Sequence, residues 1–313
     1  MNTHVHENKS YPSPGIKSFA STRALYEIII SHPLFVRRNK YLLYSSIFAL
    51  VSMSLFALPK TEYAKNNSPI AMSASVSSAL LFVPPVPDNS ERYMEVIDSC
   101  DFEYKGECVN VRSGPGIDYP IVTRLRTGIV LSITDTVTEN GRSWYKIGFG
   151  QKPLYPERVT EDWYVATDLV HEFRNEGERV IKKGETAVTT KRIVIDISEQ
   201  KLFAYHGDTL FMEEPISTGL EDTPTPRGAF SVFKMTPTRF MQGPIPEVSE
   251  QVYDLPGVPW DIYFTHGGAA IHGAYWHDSF GERWSHGCVN LDLQTAKRLY
   301  MWAEIGMNVV VQN

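Results

Sequence analysis

The residues of this sequence best suited to chemistry are a cysteine and three histidines within residues 271–291. His272 lies sixteen positions before Cys288, and a Ser-His-Gly run at 285–287 leads directly to the thiol. A histidine within hydrogen-bond reach can take the proton of a thiol and so generate the thiolate nucleophile. The glycine before the thiol lets backbone N–H groups face a reacting carbonyl, because it has no Cβ to block the approach. This arrangement predicts acyl transfer through a cysteine nucleophile.

Zinc binding is the alternative use of these side chains. The nitrogen and sulfur ligands available within this short segment would be His266, His272, His277, His286 and Cys288. Their spacings do not follow the short ligand pairs usual in zinc sites, and no acidic general base is positioned as in a His-Glu-x-x-His motif. We therefore expect neither a metal nor a cofactor.

Length and composition bound the class of protein. The chain has 313 residues, of which 42% are hydrophobic and 21% charged, as in a globular protein of two domains. Its net charge of −6 argues against nucleic acid as a partner, because proteins that bind nucleic acid present a basic surface. Three cysteines are too few for a disulfide scaffold. Nothing in the sequence predicts an oligomeric state.

The motif around Cys288 resembles the signature of the L,D-transpeptidase (YkuD) family. That signature is His-Gly, a dozen or so variable residues, then Ser/Thr-His-Gly-Cys-hydrophobic-Asn, and here it reads His272-Gly273 followed by SHGCVN at 285–290 without departure. Three further blocks of the family occur in the expected order, at 192–205, 217–219 and 225–230. The resemblance covers residues 191–312.

The resemblance implies an enzyme of peptidoglycan synthesis, cell wall biogenesis and cell shape. Cys288 would attack a stem tetrapeptide, release the terminal D-alanine, hold an acyl-enzyme and pass the acyl group to an amine to form a 3-3 crosslink. Two alternatives are compatible with the motif. Water could be the acceptor, which would make the enzyme an L,D-carboxypeptidase, or the protein could bind the cell wall with little catalysis.

The resemblance and the local sequence assign roles to individual residues. Cys288 is the expected nucleophile and His272 its base, with Ser285 orienting His272 through its backbone carbonyl or hydroxyl as the third member of a triad does. The residues expected to form the oxyanion hole or to support its loop are Gly287, His286 and Gly273. The aromatic residues expected to line the substrate cleft are Tyr263, Tyr275, Trp276 and Trp284.

The N-terminal part of the chain predicts export. Residues 1–40 are polar, and residues 41–58 carry no charge. At about 1.5 Å per residue such a helix reaches roughly 27 Å, near the ~30 Å hydrocarbon core of a bilayer. Arg37, Arg38 and Lys40 just before it would keep a tail of residues 1–40 in the cytoplasm. We expect a transmembrane signal anchor at 41–58, with a cleaved signal peptide as the alternative, and a Ser/Pro-rich linker at 59–92.

Either form of export places the catalytic domain in the cell envelope, outside the cytoplasm. The protein would be anchored in the membrane, or secreted if the signal is cleaved. The partners implied are the membrane, through residues 41–58, and the stem peptides of peptidoglycan.

Residues 93–172 predict a small all-β barrel. Short runs of β-branched and aromatic residues recur about every ten residues and are divided by Gly, Pro and the Asn140-Gly141 pair. They resemble a bacterial SH3 domain, with an unusually long connection at 150–161. Trp144 and Trp163 suit either a ligand groove or the core, and Cys100 and Cys108 suit either a disulfide or two free thiols.

The expected fold class is all-β with one substantial helix, a small SH3-like β-barrel followed by the L,D-transpeptidase β-sandwich. Residues 173–190 are expected to be a linker and residues 191–313 the catalytic domain. The helix is predicted at 293–305, because apolar residues recur on one face, Asp292 suits an N-cap and Gly306 a stop. Residues 308–311 are predicted to return as an edge strand.

Overall fold

The computed structural model describes residues 90–182, 189–246 and 248–313, which belong to one compact unit. The predicted cytoplasmic tail, the signal anchor at 41–58 and all but the last residues of the linker at 59–92 lie outside the described residues. Within the described ranges, no helix is both long enough and apolar enough to span a bilayer.

The first domain is a seven-stranded antiparallel sheet with the order β3-β2-β6-β5-β4-β1-β7. Its strands are β1 (Glu91–Glu95), β2 (Val109–Arg112), β3 (Ile121–Leu125), β4 (Val130–Glu139), β5 (Arg142–Gly148), β6 (Tyr164–Ala166) and β7 (His171–Asn175). Asn140 and Gly141 both have positive φ in the β4–β5 turn, the conformation that an Asn-Gly hairpin requires. Cys100 and Cys108 form a disulfide.

The two tryptophans of this domain belong to its interior. Trp144 is 2% exposed and Trp163 is 6% exposed, and Trp163 packs edge-on against Phe149 with ring centroids 4.9 Å apart. Of the two interpretations of these residues, the structure therefore supports the core and not a ligand groove.

The sheet extends beyond the bounds that the sequence predicts for this domain. Strand β1 begins at Glu91 and pairs with β7, which ends at Asn175. Both strands mix charged and apolar residues, so their composition does not predict a strand. The structure identifies them through their pairing with each other. The predicted linker at 173–190 also contains β8 (Arg179–Val180), which joins the second domain by pairing with a later strand.

The second domain has two five-stranded sheets. One has the order β11-β10-β9-β17-β12, from β9 (Lys191–Asp196), β10 (Lys201–His206), β11 (Thr209–Pro215), β12 (Gly228–Ser231) and β17 (Asn308–Gln312). The other has the order β16-β15-β14-β13-β8, from β8, β13 (Lys234–Ile245), β14 (Ser249–Tyr263), β15 (Ala270–Gly273) and β16 (Val289–Leu291). Their inner faces share one core, whose members include Ile193, Ile195, Leu202, Met235, Ile262 and Leu299.

Helix α1 (Leu293–Trp302) follows β16 directly. As predicted, Asp292 caps it, because its carboxylate accepts from the backbone N–H groups of Gln294 and Thr295. The helix ends three residues before the predicted position, because the backbone of Ala303 is extended.

Strand β17 is not the edge strand that the sequence predicts. It lies between β9, to which it is parallel, and β12, to which it is antiparallel. The short strand β12 therefore forms one edge of this sheet, and β11 forms the other. The residues of β12 are mostly exposed and leave only a weak sequence signal.

The β13–β14 hairpin is the longest paired element and also carries the contact with the first domain. Tyr155 Oη donates to Pro244 O at 2.6 Å, and Arg158 Nη1 donates to Gly243 O at 2.6 Å. Phe149 stacks on Phe240 with ring centroids 5.2 Å apart. The long connection at 150–161 thus docks on the hairpin through Tyr155 and Arg158, while most of its residues are exposed.

Candidate active site

The two expected reactive residues are brought together by adjacent parallel strands. Strands β15 and β16 pair so that Ile271 faces Val289 and His272 faces Asn290. Cys288 immediately precedes β16, and both it and His272 line the same cavity. The first and last residues of this nineteen-residue motif, His272 and Asn290, are therefore neighbours in one parallel strand pair.

His272 is a buried, neutral imidazole. Its Nδ1 lies 3.1 Å from the carbonyl oxygen of Gly273, and since a carbonyl can only accept, Nδ1 carries the proton. Its Nε2 is therefore an acceptor, and it is buried without a hydrogen-bond partner among the described residues. Burial is the main cause that lowers the pKa of His272 to about 3; the hydrogen bond to Gly273 O opposes this shift, and the charge of Arg239 adds to it.

Ser285 lies on the Cys288 side of the site and not on the Nδ1 side of His272. Its Oγ donates to Cys288 O at 2.6 Å and accepts from the N–H of Gly287 at 3.1 Å. Its carbonyl accepts from the N–H of Leu220 at 2.9 Å. This differs from the expectation that Ser285 orients His272, because the carbonyl at Nδ1 belongs to Gly273.

Cys288 is the one free cysteine of the described residues, and it is partly exposed. Burial raises the pKa of its thiol, while the positive charge of Arg239 and the backbone N–H of Ala270 lower it. The sulfur lies 4.0 Å from Gly268 O, and the carbonyl of Cys288 accepts from Thr225 Oγ1 at 3.3 Å. The free thiol thus lines the same cavity as the imidazole acceptor of His272.

The support residues differ in what they contact. A Cβ at Gly273 would lie 3.0 Å from Pro259 and 3.3 Å from Ala296 of helix α1, so the packing there leaves little room for a side chain. Gly287 has φ +115°, a conformation that glycine adopts readily. His286 stacks on Tyr253 at 6.2 Å and lines the cavity.

The cavity has a volume of about 740 Å³ and is mostly apolar. That size is within the usual range of small-molecule sites, roughly 300–1,000 Å³. Hairpin β13–β14 forms one wall, and the loops at 220–226 and 265–269 contribute others. The apolar residues lining it include Met241, Ile245, Val248, Leu255 and Trp276.

Two of the four aromatic residues expected in the cleft line it. Trp276 lies with its ring 5.7 Å from that of His272, and Trp284 is 47% exposed. Tyr263 is instead buried beside Lys234 and Arg239.

Tyr275 also lies away from the cavity. Its hydroxyl donates to Pro256 O at 2.7 Å, and its ring packs among the buried residues of the first domain. Tyr275 faces the first domain, whereas the next residue, Trp276, lines the cavity. Aromatic character alone therefore does not predict which of the two positions a residue takes.

His277, within the motif, makes hydrogen bonds inside the protein. Nδ1 of His277 accepts from the N–H of Ser279 at 3.1 Å, and its Nε2 lies 2.9 Å from the side-chain amide of Asn290. Burial lowers the pKa of His277 to about 4. Across the described ranges, no group of three or more His, Cys, Asp or Glu side chains is placed to hold a metal ion.

The sequence reasoning missed two buried charged residues of the hairpin. Arg239 on β13 lines the cavity, and its Nη1 is buried without a partner among the described residues. Asp261 on β14 is fully buried with both oxygens unpaired, and burial raises its pKa to about 7. A charge alternating with apolar residues at 260–263 is the only sequence signal that could have indicated Asp261.

A free thiol and a buried imidazole acceptor within one apolar cavity define a candidate cysteine acyl-transfer site. Residues 190–311 match the family described as the L,D-transpeptidase catalytic domain (YkuD), and residues 108–155 match the bacterial SH3 domain. The chain therefore contains an L,D-transpeptidase catalytic domain preceded by a bacterial SH3 domain. The predicted fold class, all-β with one helix, is confirmed.

Solved structures similar to this chain include three L,D-transpeptidases. One from Mycobacterium smegmatis is 21% identical over 55% of this chain and 91% of its own, with a TM-score of 0.38. L,D-transpeptidase 3 from Mycobacterium tuberculosis is 17% identical over 58% and 98%, with a TM-score of 0.38. A mutant of an Enterococcus faecium enzyme is 26% identical over 42% and 55%, with a TM-score of 0.37. A search of curated proteins found no match.

Proposed function

We propose that this protein is a peptidoglycan L,D-transpeptidase in which Cys288 forms an acyl-enzyme with a stem tetrapeptide. The observation that carries the proposal is that one cavity is lined by a free thiol and by an imidazole whose Nε2 is a buried acceptor without a partner among the described residues. The match of residues 190–311 to the catalytic domain family supplies the substrate class.

The first half of the reaction forms the thioester. His272 Nε2 takes the thiol proton, and the sulfur attacks the carbonyl of the third residue of the stem. Gly287 N–H donates to Ser285 Oγ, so the Cys288 N–H is the first candidate to stabilise the oxyanion. Collapse of the tetrahedral intermediate breaks the C–N bond, and the imidazolium returns its proton to the departing D-alanine amine.

The second half transfers the acyl group to an amine of a neighbouring stem, which gives a 3-3 crosslink. His272 takes a proton from the attacking amine and returns it to the sulfur. Water is present at about 55 M, so an amine competes only where the site orients it and limits water; effective molarities of oriented groups reach ~10⁵ M or more. The apolar wall with Trp276 and Trp284 favours transfer over the hydrolysis of a carboxypeptidase.

Substitution of the nucleophile tests the proposal. Cys288→Ala should abolish turnover of stem tetrapeptides without unfolding the protein, and Cys288→Ser should be nearly as inactive, because an alcohol is a far weaker acid than a thiol. Turnover that persists in Cys288→Ala, measured by D-alanine release, would rule out this nucleophile. Activity lost to a chelator and restored by zinc would instead indicate a metalloenzyme.

The proposal places the protein in the cell envelope, with its catalytic domain outside the cytoplasm. The matched SH3 and transpeptidase domains and the uncharged segment at 41–58 support this location. On this proposal, residues 41–58 act as the signal anchor. The alternative role as a wall-binding protein with little catalysis is less favoured, because both reactive residues line one cavity.

A further inference from the structure

Arg239 is a charged residue of the active-site cavity that the catalytic mechanism does not use. It lies on β13, lines the same cavity as Cys288 and His272, and has its guanidinium 5.3 Å from the ring centroid of Tyr263. Its Nη1 is buried and, within the described ranges, has no hydrogen-bond partner. Burial of a cation without a hydrogen-bonded anion is unfavourable in free energy. The position of Arg239 therefore favours binding of an anion that the free protein does not supply.

The carboxylates of the protein do not satisfy this guanidinium. Asp261 is near enough for its charge to be felt at Arg239, but both of its oxygens lack hydrogen bonds, so it is not paired with the arginine. Among the residues lining the cavity, the one carboxylate is that of Asp222, which is exposed. No ion pair within 4.0 Å joins Arg239 to a described residue.

The chemistry of the guanidinium specifies the ligand. Its planar fork matches a carboxylate in a bidentate contact, whereas a neutral amide offers one uncharged acceptor. Arg239 and Cys288 line the same cavity, and the charge of Arg239 lowers the pKa of the thiol, so a group bound by Arg239 lies in the cavity where the sulfur attacks. In a stem that ends one residue after that bond, the nearest carboxylate is the C-terminal one, a single carbon from the leaving nitrogen.

We propose that Arg239 binds the C-terminal carboxylate of the donor stem and thereby selects stems that end at the residue released. This inference rests on the proposed function. A stem one residue longer carries a peptide bond at that position, so it loses the charged contact and also places its extra residue against Arg239. The selectivity for tetrapeptide donors would thus reside in one side chain of the β13–β14 hairpin.

A peptide pair tests the selection directly. The full-length protein is assayed with a stem tetrapeptide and with the same peptide as a C-terminal carboxamide, with kcat/KM measured from release of the terminal residue. A charged hydrogen bond contributes about 1.5–3 kcal/mol, so wild type should prefer the acid about tenfold or more. Arg239→Gln should lose this preference, and Arg239→Lys should keep part of it. The matched control Arg298→Gln, which removes an exposed arginine of helix α1, should keep it in full.

Alkylation of Cys288 gives a test that does not depend on the peptide reaction. Iodoacetate and iodoacetamide form the same S–C bond with loss of iodide, and only the first carries a carboxylate. The ratio of their rate constants should fall about tenfold in Arg239→Gln relative to wild type and Arg298→Gln. Thermal unfolding of each variant checks that it folds. If Arg239→Gln does not fold, Arg239→Lys takes its place in the comparison of the two alkylation rates.

The outcomes separate the inference from the proposed function. Equal use of acid and amide peptides by wild type overturns the role of Arg239. A parallel slowing of both alkylating agents in Arg239→Gln also overturns it, because the arginine would then act on the thiolate alone. If neither peptide reacts but the alkylation ratio falls, the proposed function fails, while carboxylate binding by Arg239 stands.

Discussion

The tautomer of His272 is set by a backbone carbonyl. Gly273 O accepts from Nδ1, which leaves the lone pair on Nε2 as an acceptor. Burial lowers the pKa of this imidazole to about 3, so it is neutral throughout the physiological range, as the proposed base for the thiol must be. Because the orienting group is main-chain, no side-chain motif can reveal it, and Ser285 is the residue that the sequence suggests in its place.

Asp261 makes the stability of the protein depend on pH. Burial raises its pKa to about 7 from an ordinary value near 3.9, so the folded state binds this proton more tightly than the unfolded chain. The resulting contribution to stability is present in full below about pH 4 and is lost as pH rises through 7. Asp261→Asn keeps the shape and removes the charge. It should therefore raise the melting temperature at pH 8 by several degrees relative to wild type, with little gain at pH 4.

Calorimetry at the two pH values measures this difference. Asp208→Asn is the matched control, because Asp208 is exposed in the turn after β10. It should show the same small effect at both pH values. An Asp261→Asn gain of equal size at pH 4 and pH 8 would contradict the assignment of a buried titrating carboxyl.

At the scale of residues, the sequence is most informative where the candidate residues are close together in the chain. Cys288, His272 and Gly287 are proposed because they lie in one short motif whose spacing is specific, and all three line one cavity. Arg239 and Asp261 are missed, because the pairing of β13 with β14 decides that Arg239 lines the cavity and that Asp261 is buried. The contribution of Tyr263 and Tyr275 is misjudged for a related reason, since aromatic residues serve the core and the cavity equally well.

At the scale of elements, the β13–β14 hairpin is both the cavity wall and the platform for the SH3 domain. The 3₁₀ turn at Pro156–Arg158 lies in the connection that docks on it. Tyr155 makes three hydrogen bonds to this hairpin. Its hydroxyl donates to Pro244 O, its N–H donates to Gln242 Oε1 at 2.8 Å, and its carbonyl accepts from Gln242 Nε2 at 3.3 Å. The connection thus contacts the hairpin that forms one wall of the cavity.

Tyr155→Phe tests this coupling. It removes the hydroxyl that bonds Pro244 O, a contact that contributes about 1 kcal/mol, and should lower the melting temperature by roughly 2–4 °C. The amides of the hairpin near 242–245 should exchange with solvent faster in the variant. Tyr119→Phe is the control, because the Tyr119 side chain is 44% exposed and its hydroxyl makes no hydrogen bond among the described residues. Unchanged exchange of the hairpin in Tyr155→Phe would show that the connection does not hold it.

The strands that the sequence predicts well are those with their own periodicity. Runs at 192–197, 201–205 and 210–216 predict β9, β10 and β11 within a residue or so, and Asp292 predicts the start of α1. The pairing of β1 with β7 and the interior position of β17 depend on contacts between distant segments. Composition alone could not predict either feature.

At the scale of the whole molecule, the two domains share buried surface. Val258 and Tyr275 of the catalytic domain pack within the apolar core of the SH3 domain, and Lys297 of α1 pairs with Glu95 of β1 at 2.6 Å. A side chain at Gly257 would come within 2.5 Å of Val130 O. Removal of the SH3 domain would expose this apolar surface, so the two domains form one structural unit.

The proposed anchor at 41–58 determines where the whole protein is located. Eighteen uncharged residues at 41–58 predict that the full-length protein pellets with membranes and resists carbonate extraction. A form that starts at Ser90 should stay in the supernatant, which provides the control. Mature protein that begins at Leu58 or Lys65 by N-terminal sequencing would show a cleaved signal instead of an anchor.

The intact mass of the protein after incubation with a stem tetrapeptide tests the central proposal most directly. Formation of the thioester with loss of D-alanine should add the mass of the tetrapeptide less that of D-alanine, at Cys288, and Cys288→Ala should gain nothing. With excess stem, the adduct should resolve mainly to a dimer crosslinked between third residues, with tripeptide as the minor product. Release of D-alanine by wild type with no adduct under rapid quenching, together with equal release by Cys288→Ala, would contradict the account.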